Sequence, residues 1–121
     1  MKESIIRDKS MCFAIRIVRC YKYLVEEKRE FILSKQLLRS GTSIGANIKE
    51  ALRGQSRPDF TAKMSISLKE ASECEYWIEL LMNTEYLPSD SAQSLLEDCQ
   101  ELIKILVSIV KSTNEKIGSV V

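Results

Sequence analysis

Residues 33–60 read LSKQLLRSGTSIGANIKEALRGQSRPDF. The centre of the stretch, Ser40-Gly41-Thr42-Ser43-Ile44-Gly45-Ala46, has the composition of a loop. Its periodicity is that of a helix. Leu33, Leu37, Ser40, Gly41, Ile44, Ile48 and Ala51 fall on one face at about 100° per residue. The stretch therefore predicts one continuous helix with a thin waist, where small side chains let a neighbouring helix pack closely. The opposite face carries Lys35, Arg39, Lys49 and Arg53 in the same register.

Working outward, the same period recurs in three more segments. Phe13, Ile17, Cys20, Tyr21 and Leu24 stripe a first helix over residues 6–25. The polar link Glu26-Glu27-Lys28-Arg29 is short, as antiparallel neighbours require, and the waisted helix then spans residues 30–53. Gly54 suits a helix end, Ser56 an N-cap and Pro58 a first turn, so a third helix is predicted over residues 58–83. Its core stripe reads Phe60, Met64, Leu68, Ala71, Cys74, Glu75, Ile78 and Met82. After Tyr86-Leu87-Pro88, with Ser89 as N-cap, a fourth helix is predicted over residues 89–112. Leu95, Cys99, Leu102, Ile103, Leu106, Ile109 and Val110 point inward from it, and residues 114–121 are expected to fray. No strand alternation or repeat competes. The fold class is all-α: an antiparallel up-down-up-down four-helix bundle forming a single domain, residues 1–121.

Composition narrows the function classes. A chain of 121 residues with 45% hydrophobic and 29% charged residues can bury one core and remain soluble. No apolar run is long enough to span a membrane, and MKESIIRDKSM lacks the apolar centre of a signal peptide. The expectation is a cytoplasmic protein with no membrane partner. Cys12, Cys20, Cys74 and Cys99 show no C-x-x-C spacing, which fits reduced cysteines used as small core residues.

There is no histidine. That removes Ser-His-Asp and Cys-His catalysis, most zinc sites and the Glu-x-x-His motif of di-iron bundles. Gly41-Thr42-Ser43-Ile44-Gly45 lacks the Gly-Lys-Ser/Thr ending of a phosphate loop. The carboxylates Glu70, Glu73, Glu75, Asp98 and Glu101 lack the alternating pattern of a calcium loop and read as a solvated or ion-paired surface. No catalytic residue, cofactor or metal is expected, and the chain is expected not to be an enzyme.

Two surfaces stand out instead. On the third helix, Ile66, Trp77 and Leu80 project off the core stripe beside Glu70 and Glu73. They are either a half-exposed Trp lying on its neighbours or the anchor of a subunit interface. On the second helix, the stripe Lys35, Arg39, Lys49 and Arg53 has three readings: a solvated face, a nucleic-acid phosphate contact widened by Arg16, Arg19 and Lys22 of the first helix, or a dock for the acidic back of another subunit's third helix. Charge is polarised along the chain. Residues 1–69 hold 15 basic and 7 acidic residues, a balance of +8; residues 70–121 hold 3 and 10, a balance of −7, giving the overall +1.

The second helix also carries a resemblance. Gln36-Leu37-Leu38-Arg39-Ser40, Ser43-Ile44, Asn47-Ile48, Glu50, Ser56 and Phe60 resemble the signature of the small four-helix-bundle proteins encoded in intervening sequences of bacterial large-subunit ribosomal RNA genes. The likeness continues through Leu68-Lys69-Glu70-Ala71, Glu73-Cys74-Glu75-Tyr76-Trp77 and Tyr86-Leu87, and so covers nearly the whole chain. Gly45 stands where many relatives have Pro, Ala51 where they have Gly, and Gln55 where they have Arg. The resemblance implies a subunit that assembles into a ring of five and no established reaction. It favours the interface reading of Ile66, Glu70, Glu73, Trp77 and Leu80. It also implies a likeness in fold to accessory proteins of diversity-generating retroelements, which makes a nucleoprotein complex a credible partner. The reading is a non-enzymatic homo-oligomeric ring that binds RNA or DNA through its basic face; the alternative is a structural, protein-interaction module with no nucleic-acid partner.

Overall fold

A computed structural model describes the backbone of residues 1–120 and the side chains of residues 1–115. Four helices account for nearly all of it: α1 Lys2–Glu26, α2 Leu33–Leu52, α3 Arg57–Asn83 and α4 Ser89–Val120. The waist of α2 is helical throughout. Three boundaries differ from the sequence expectation. α1 begins at Lys2 rather than residue 6: Glu3 in its first turn complements the helix dipole, and Ile6, just beyond that turn, is fully buried. α2 begins at Leu33 rather than residue 30. Arg29 turns the chain at φ 55°, and the Glu30 carboxylate accepts the N–H groups of Ile32, Leu33 and Ser34 at 3.2, 3.0 and 2.6 Å, so Glu30 caps the helix from outside it. α4 runs past residue 112 to Val120: Thr113 is buried, with its hydroxyl donating to the Ile109 carbonyl at 2.8 Å. Val121 lies outside the described residues. The start of α3 follows the sequence, with the Ser56 hydroxyl accepting from the Asp59 N–H at 3.2 Å and Pro58 in the first turn.

Each helix packs on its two neighbours around a square, α1 on α2 and α4, α3 on α2 and α4, with no diagonal contact among the described residues. The cross-helix registers run in opposite directions. Ile17 meets Gly41 while Ser10 meets Gly45. Arg39 meets Glu70 and Glu73 while Glu50 meets Lys63. Arg16 meets Asp98 while Lys9 meets Glu101. The helices are therefore antiparallel, as short links demand.

The core is built from Phe13, Ile17, Leu24, Leu37, Ile44, Ile48, Met64, Ile78, Leu102 and Leu106, all essentially inaccessible to solvent. The α3 stripe is rotated from the sequence expectation. Met64, Ala71, Cys74 and Ile78 are buried, but the rest of the buried set is Thr61, Ser67 and Leu81, while Phe60, Leu68, Glu75 and Met82 are only partly buried. The cause is a polar contact. The Ser67 hydroxyl donates to the Ile44 carbonyl of α2 at 2.9 Å, which turns a serine inward where hydropathy alone places it outside. The Cys99 thiol likewise donates across to the Ala71 carbonyl at 3.3 Å. All four cysteines are free; Cys74 and Cys99 are buried, Cys20 is half-buried and Cys12 is exposed. Among the described residues no helix is long and apolar enough to cross a membrane.

Candidate functional site

The structure first separates the predicted cations into two kinds. Arg39 and Arg16 are engaged within the chain. Because α2 and α3 are antiparallel neighbours, Arg39 lies opposite two successive turns of α3, and one guanidinium nitrogen donates to Glu70 at 2.8 Å while the other donates to Glu73. Glu73 also accepts from the Trp77 indole N–H at 3.2 Å. The hydrogen bond from Trp77, with that from Arg39, holds the Glu73 carboxyl below the usual glutamate range, and the bonds to Glu70 and Glu73 keep Arg39 firmly protonated. Glu70 and Glu73 on the acidic back of α3 are thus engaged by one cation of α2 in the same chain. Arg16 is similarly fixed: it donates to Asp98 at 2.6 Å, and to the carbonyl and hydroxyl of Ser94 at 3.3 and 3.1 Å.

Arg19, Lys22, Lys35, Lys49 and Arg53 form no ion pair among the described residues, and all five are exposed. Lys49 and Arg53 join Arg7 along an open groove of about 630 Å³ between α1 and α2, whose floor includes Ala14, Thr42, Gly45 and Ala46. Small residues on both helices make the groove shallow-walled and the backbone approachable.

Trp77 does not stand free of its subunit. It is half-buried at the edge of the core, with the Tyr76 ring edge-on to it at a centroid distance of 5.1 Å and an angle of 73°. Ile66 remains 43% exposed and Tyr76 57%, and Leu80 is half-buried. Trp77, Glu73 and Arg39 therefore form one connected, partly apolar strip along the α2–α3 seam, with Ile66 and Leu80 on the same flank of α3. The sequence reading missed a second apolar strip. Met11, Ile15 and Val18 on α1 are 62%, 43% and 37% exposed, and their four- and three-residue spacing was the signal that could have found them.

A third feature was also missed, a hollow of about 330 Å³ between α1 and the start of α4. It is lined by Arg16, Arg19, Cys20 and Tyr23 from α1 and by Leu87, Pro88, Ser91 and Leu95 from the α3–α4 link and α4. Its members lie more than sixty residues apart in the chain, and only the α1–α4 register brings them together.

Compared with known proteins, the family described as 23S rRNA-intervening sequence protein matches residues 2–108. A crystal structure of a protein with unknown function from the S23 ribosomal protein family, from Bacteroides thetaiotaomicron, is similar at 56% sequence identity and a TM-score of 0.90, over 92% of this chain and 99% of that one. No functionally curated protein matches the chain.

Proposed function

This chain belongs to the 23S rRNA-intervening sequence protein family, and we propose that it is a non-enzymatic, self-associating cytoplasmic bundle that binds RNA or DNA by its phosphates. The observation that supports this most is the division among the cations. Arg16 and Arg39 are taken up by carboxylates of the same chain, while Arg19, Lys22, Lys35, Lys49 and Arg53, on α1, α2 and the residue that caps it, have no ion-pair partner among the described residues. Unpaired cations release no internal partner on meeting a phosphate, so their binding energy is realised in full as counterions leave. Such contacts carry little sequence information. Assembly belongs to the same proposal: Ile66, Trp77 and Leu80 offer an apolar strip for a second subunit, beside Glu70 and Glu73, whose two charges share the single cation Arg39. The ring of five comes from the family resemblance.

Salt dependence of binding tests the phosphate reading. If all five cations contact a single strand, log K falls against log salt with a slope of about −3.5, at about −0.7 per contact. Lys49→Glu with Arg53→Glu should flatten the slope to about −2 and weaken binding across all sequences, with the oligomer intact. A slope near zero, or an unchanged slope in the double variant, overturns the reading. The alternative, a protein-interaction module without nucleic acid, is favoured by the uncovered strip Met11, Ile15 and Val18. It predicts that the same titrations show no binding.

A further inference from the structure

We propose that the hollow between α1 and the start of α4 binds one nucleoside monophosphate unit, its base held against Tyr23, Leu87 and Leu95 and its phosphate by Arg19. The proposal rests on the nucleic-acid reading above and deepens it, assigning a base-sized site beside what is otherwise a phosphate-tracking surface.

Size and polarity carry the argument. At about 330 Å³ the hollow lies at the small end of ligand pockets, which run from about 300 to 1,000 Å³. Its floor is apolar, since Leu87 is 5% and Leu95 3% exposed. Tyr23 contributes an aromatic ring to the wall, the kind of surface on which an unstacked base is held. The rim is cationic in a specific way. Arg16 is tied down by Asp98 and Ser94 and serves as a fixed wall with its charge offset. Arg19 is exposed and has no carboxylate partner among the described residues. Ser91 places a hydroxyl on the rim within the first turn of α4, where backbone N–H groups lack intrahelical acceptors and the helix dipole favours negative charge. Asp90, in the same turn, is the one carboxylate there that opposes an anion.

Cys20 completes the floor without adding reactivity. Burial pushes its thiol up to about 11 against the opposing pull of Arg16, so it stays neutral and apolar. A bare phosphate has no use for the buried leucines, and an apolar ligand has none for Arg19; a nucleotide uses both. A base inside a duplex cannot enter, so the unit is either a free mononucleotide or an unstacked residue of a single strand.

The test titrates the full-length protein by calorimetry with uridine 5′-monophosphate, uridine, inorganic phosphate, oligouridylate and an oligouridylate with one abasic residue. Two variants accompany it. Arg19→Glu reverses the rim charge at an exposed site, and Ser91→Trp fills the hollow from another exposed site, so that both are expected to melt like the wild type. The expected result is that uridine monophosphate binds at least about tenfold more tightly than uridine or phosphate, and that each variant loses about tenfold or more. Saturable binding of the mononucleotide alone marks a free nucleotide as the source; a selective loss with the abasic strand marks a strand residue. If phosphate binds as well as the mononucleotide, or Ser91→Trp binds strand and mononucleotide unchanged, the proposal is overturned. Should Ser91→Trp melt early, an unchanged affinity in Arg19→Glu overturns it instead. Strand binding that is lost in the Lys49→Glu, Arg53→Glu variant and weakened in Arg19→Glu, but kept in Ser91→Trp, sinks the hollow and leaves the broader reading standing. Mononucleotide binding with no strand binding does the reverse.

Discussion

The α1–α2 contact makes a sharp prediction about two glycines that look alike in the sequence. A Cβ added at Gly41 would lie 2.7, 2.8 and 3.0 Å from Cγ1, Cγ2 and Cδ1 of Ile17, a residue with no solvent exposure. A Cβ added at Gly45 would lie 3.4 and 3.6 Å from the Ser10 side chain, an ordinary contact. Both glycines sit inside α2, where exchange for alanine is intrinsically worth about 1 kcal/mol to the helix. At Gly45 nothing opposes that gain, so Gly45→Ala should stabilise by roughly 0.5–1 kcal/mol. At Gly41 the branched Ile17 cannot withdraw all three atoms at once. Overpacking of this kind costs about 1–3 kcal/mol, so the net change is roughly 0–2 kcal/mol of destabilisation. The two variants should therefore melt several degrees apart, since 1 kcal/mol moves Tm by about 4 °C in a domain of this size. Thermal and urea melts followed by far-ultraviolet circular dichroism, at one fixed protomer concentration, measure this. Ile17→Ala supplies the control. Alone it should cost about 2–5 kcal/mol, and in the Gly41→Ala background clearly less, because the new methyl group occupies part of the cavity. If Gly41→Ala proves as stable as Gly45→Ala, or the double variant is simply additive, the close approach of α1 to the waist is not as described.

Other outcomes follow from the remaining features. Trp77→Ala should lower the association state seen by light scattering at micromolar concentration while leaving a folded subunit, and a monomeric wild type would remove the interface idea. Glu30→Ala should cost about 0.5–2 kcal/mol at neutral pH, because three N–H groups at the start of α2 lose their acceptor. Burial works to raise the Glu30 pKa, but the bonds from Leu33, Ser34 and Ile32 outweigh it and hold the carboxyl below the ordinary value of 4.5. A carboxylate with a lowered folded pKa contributes its stability above the unfolded pKa and loses it as the pH falls through the folded one. The gap between wild type and Glu30→Ala should accordingly be full at pH 7 and close below pH 4.5; a gap that is independent of pH counts against the cap. Purified protein should show no nuclease or other hydrolytic activity, and an activity abolished by Glu70→Gln or Glu73→Gln would refute that.

What the sequence made legible was whatever depends on one helix at a time. The α2 face was read correctly because every member of the set, from Leu37 to Ala51, repeats at helical spacing and packs by size. The Ser56 cap was legible because its partner Asp59 is three residues away. Errors came where a second helix decides. Ser67 turns inward only because the Ile44 carbonyl waits on α2. Glu30 looked like a first helical residue, and is a cap because Arg29 turns the chain before it. Gly41 was read onto the packing face by its spacing, but only the α1 register sets Ile17 against it and Ser10 against Gly45. The hollow at Arg19 and Leu95 was invisible for the same reason, since no local pattern joins α1 to α4.

The polarised charge of the chain gains a different meaning once the helices are side by side. A +8 first part and a −7 second part suggest a molecule built to meet something oppositely charged. Much of that meeting is internal. Lys9 and Arg16 of α1 lie against Glu101 and Asp98 of α4, and Arg39 of α2 against Glu70 and Glu73 of α3. These are exposed or half-exposed pairs, each of small worth to stability. Together they discriminate between arrangements, because they reward only the square in which α1 is flanked by α4 and α2 by α3. A diagonal swap would leave both sets of like charges unmatched. Subtracting those pairs removes three cations and four carboxylates, so what remains is more basic than the whole and lies on α1 and α2. The charge left over after folding, rather than the charge written along the chain, is what a nucleic acid would meet.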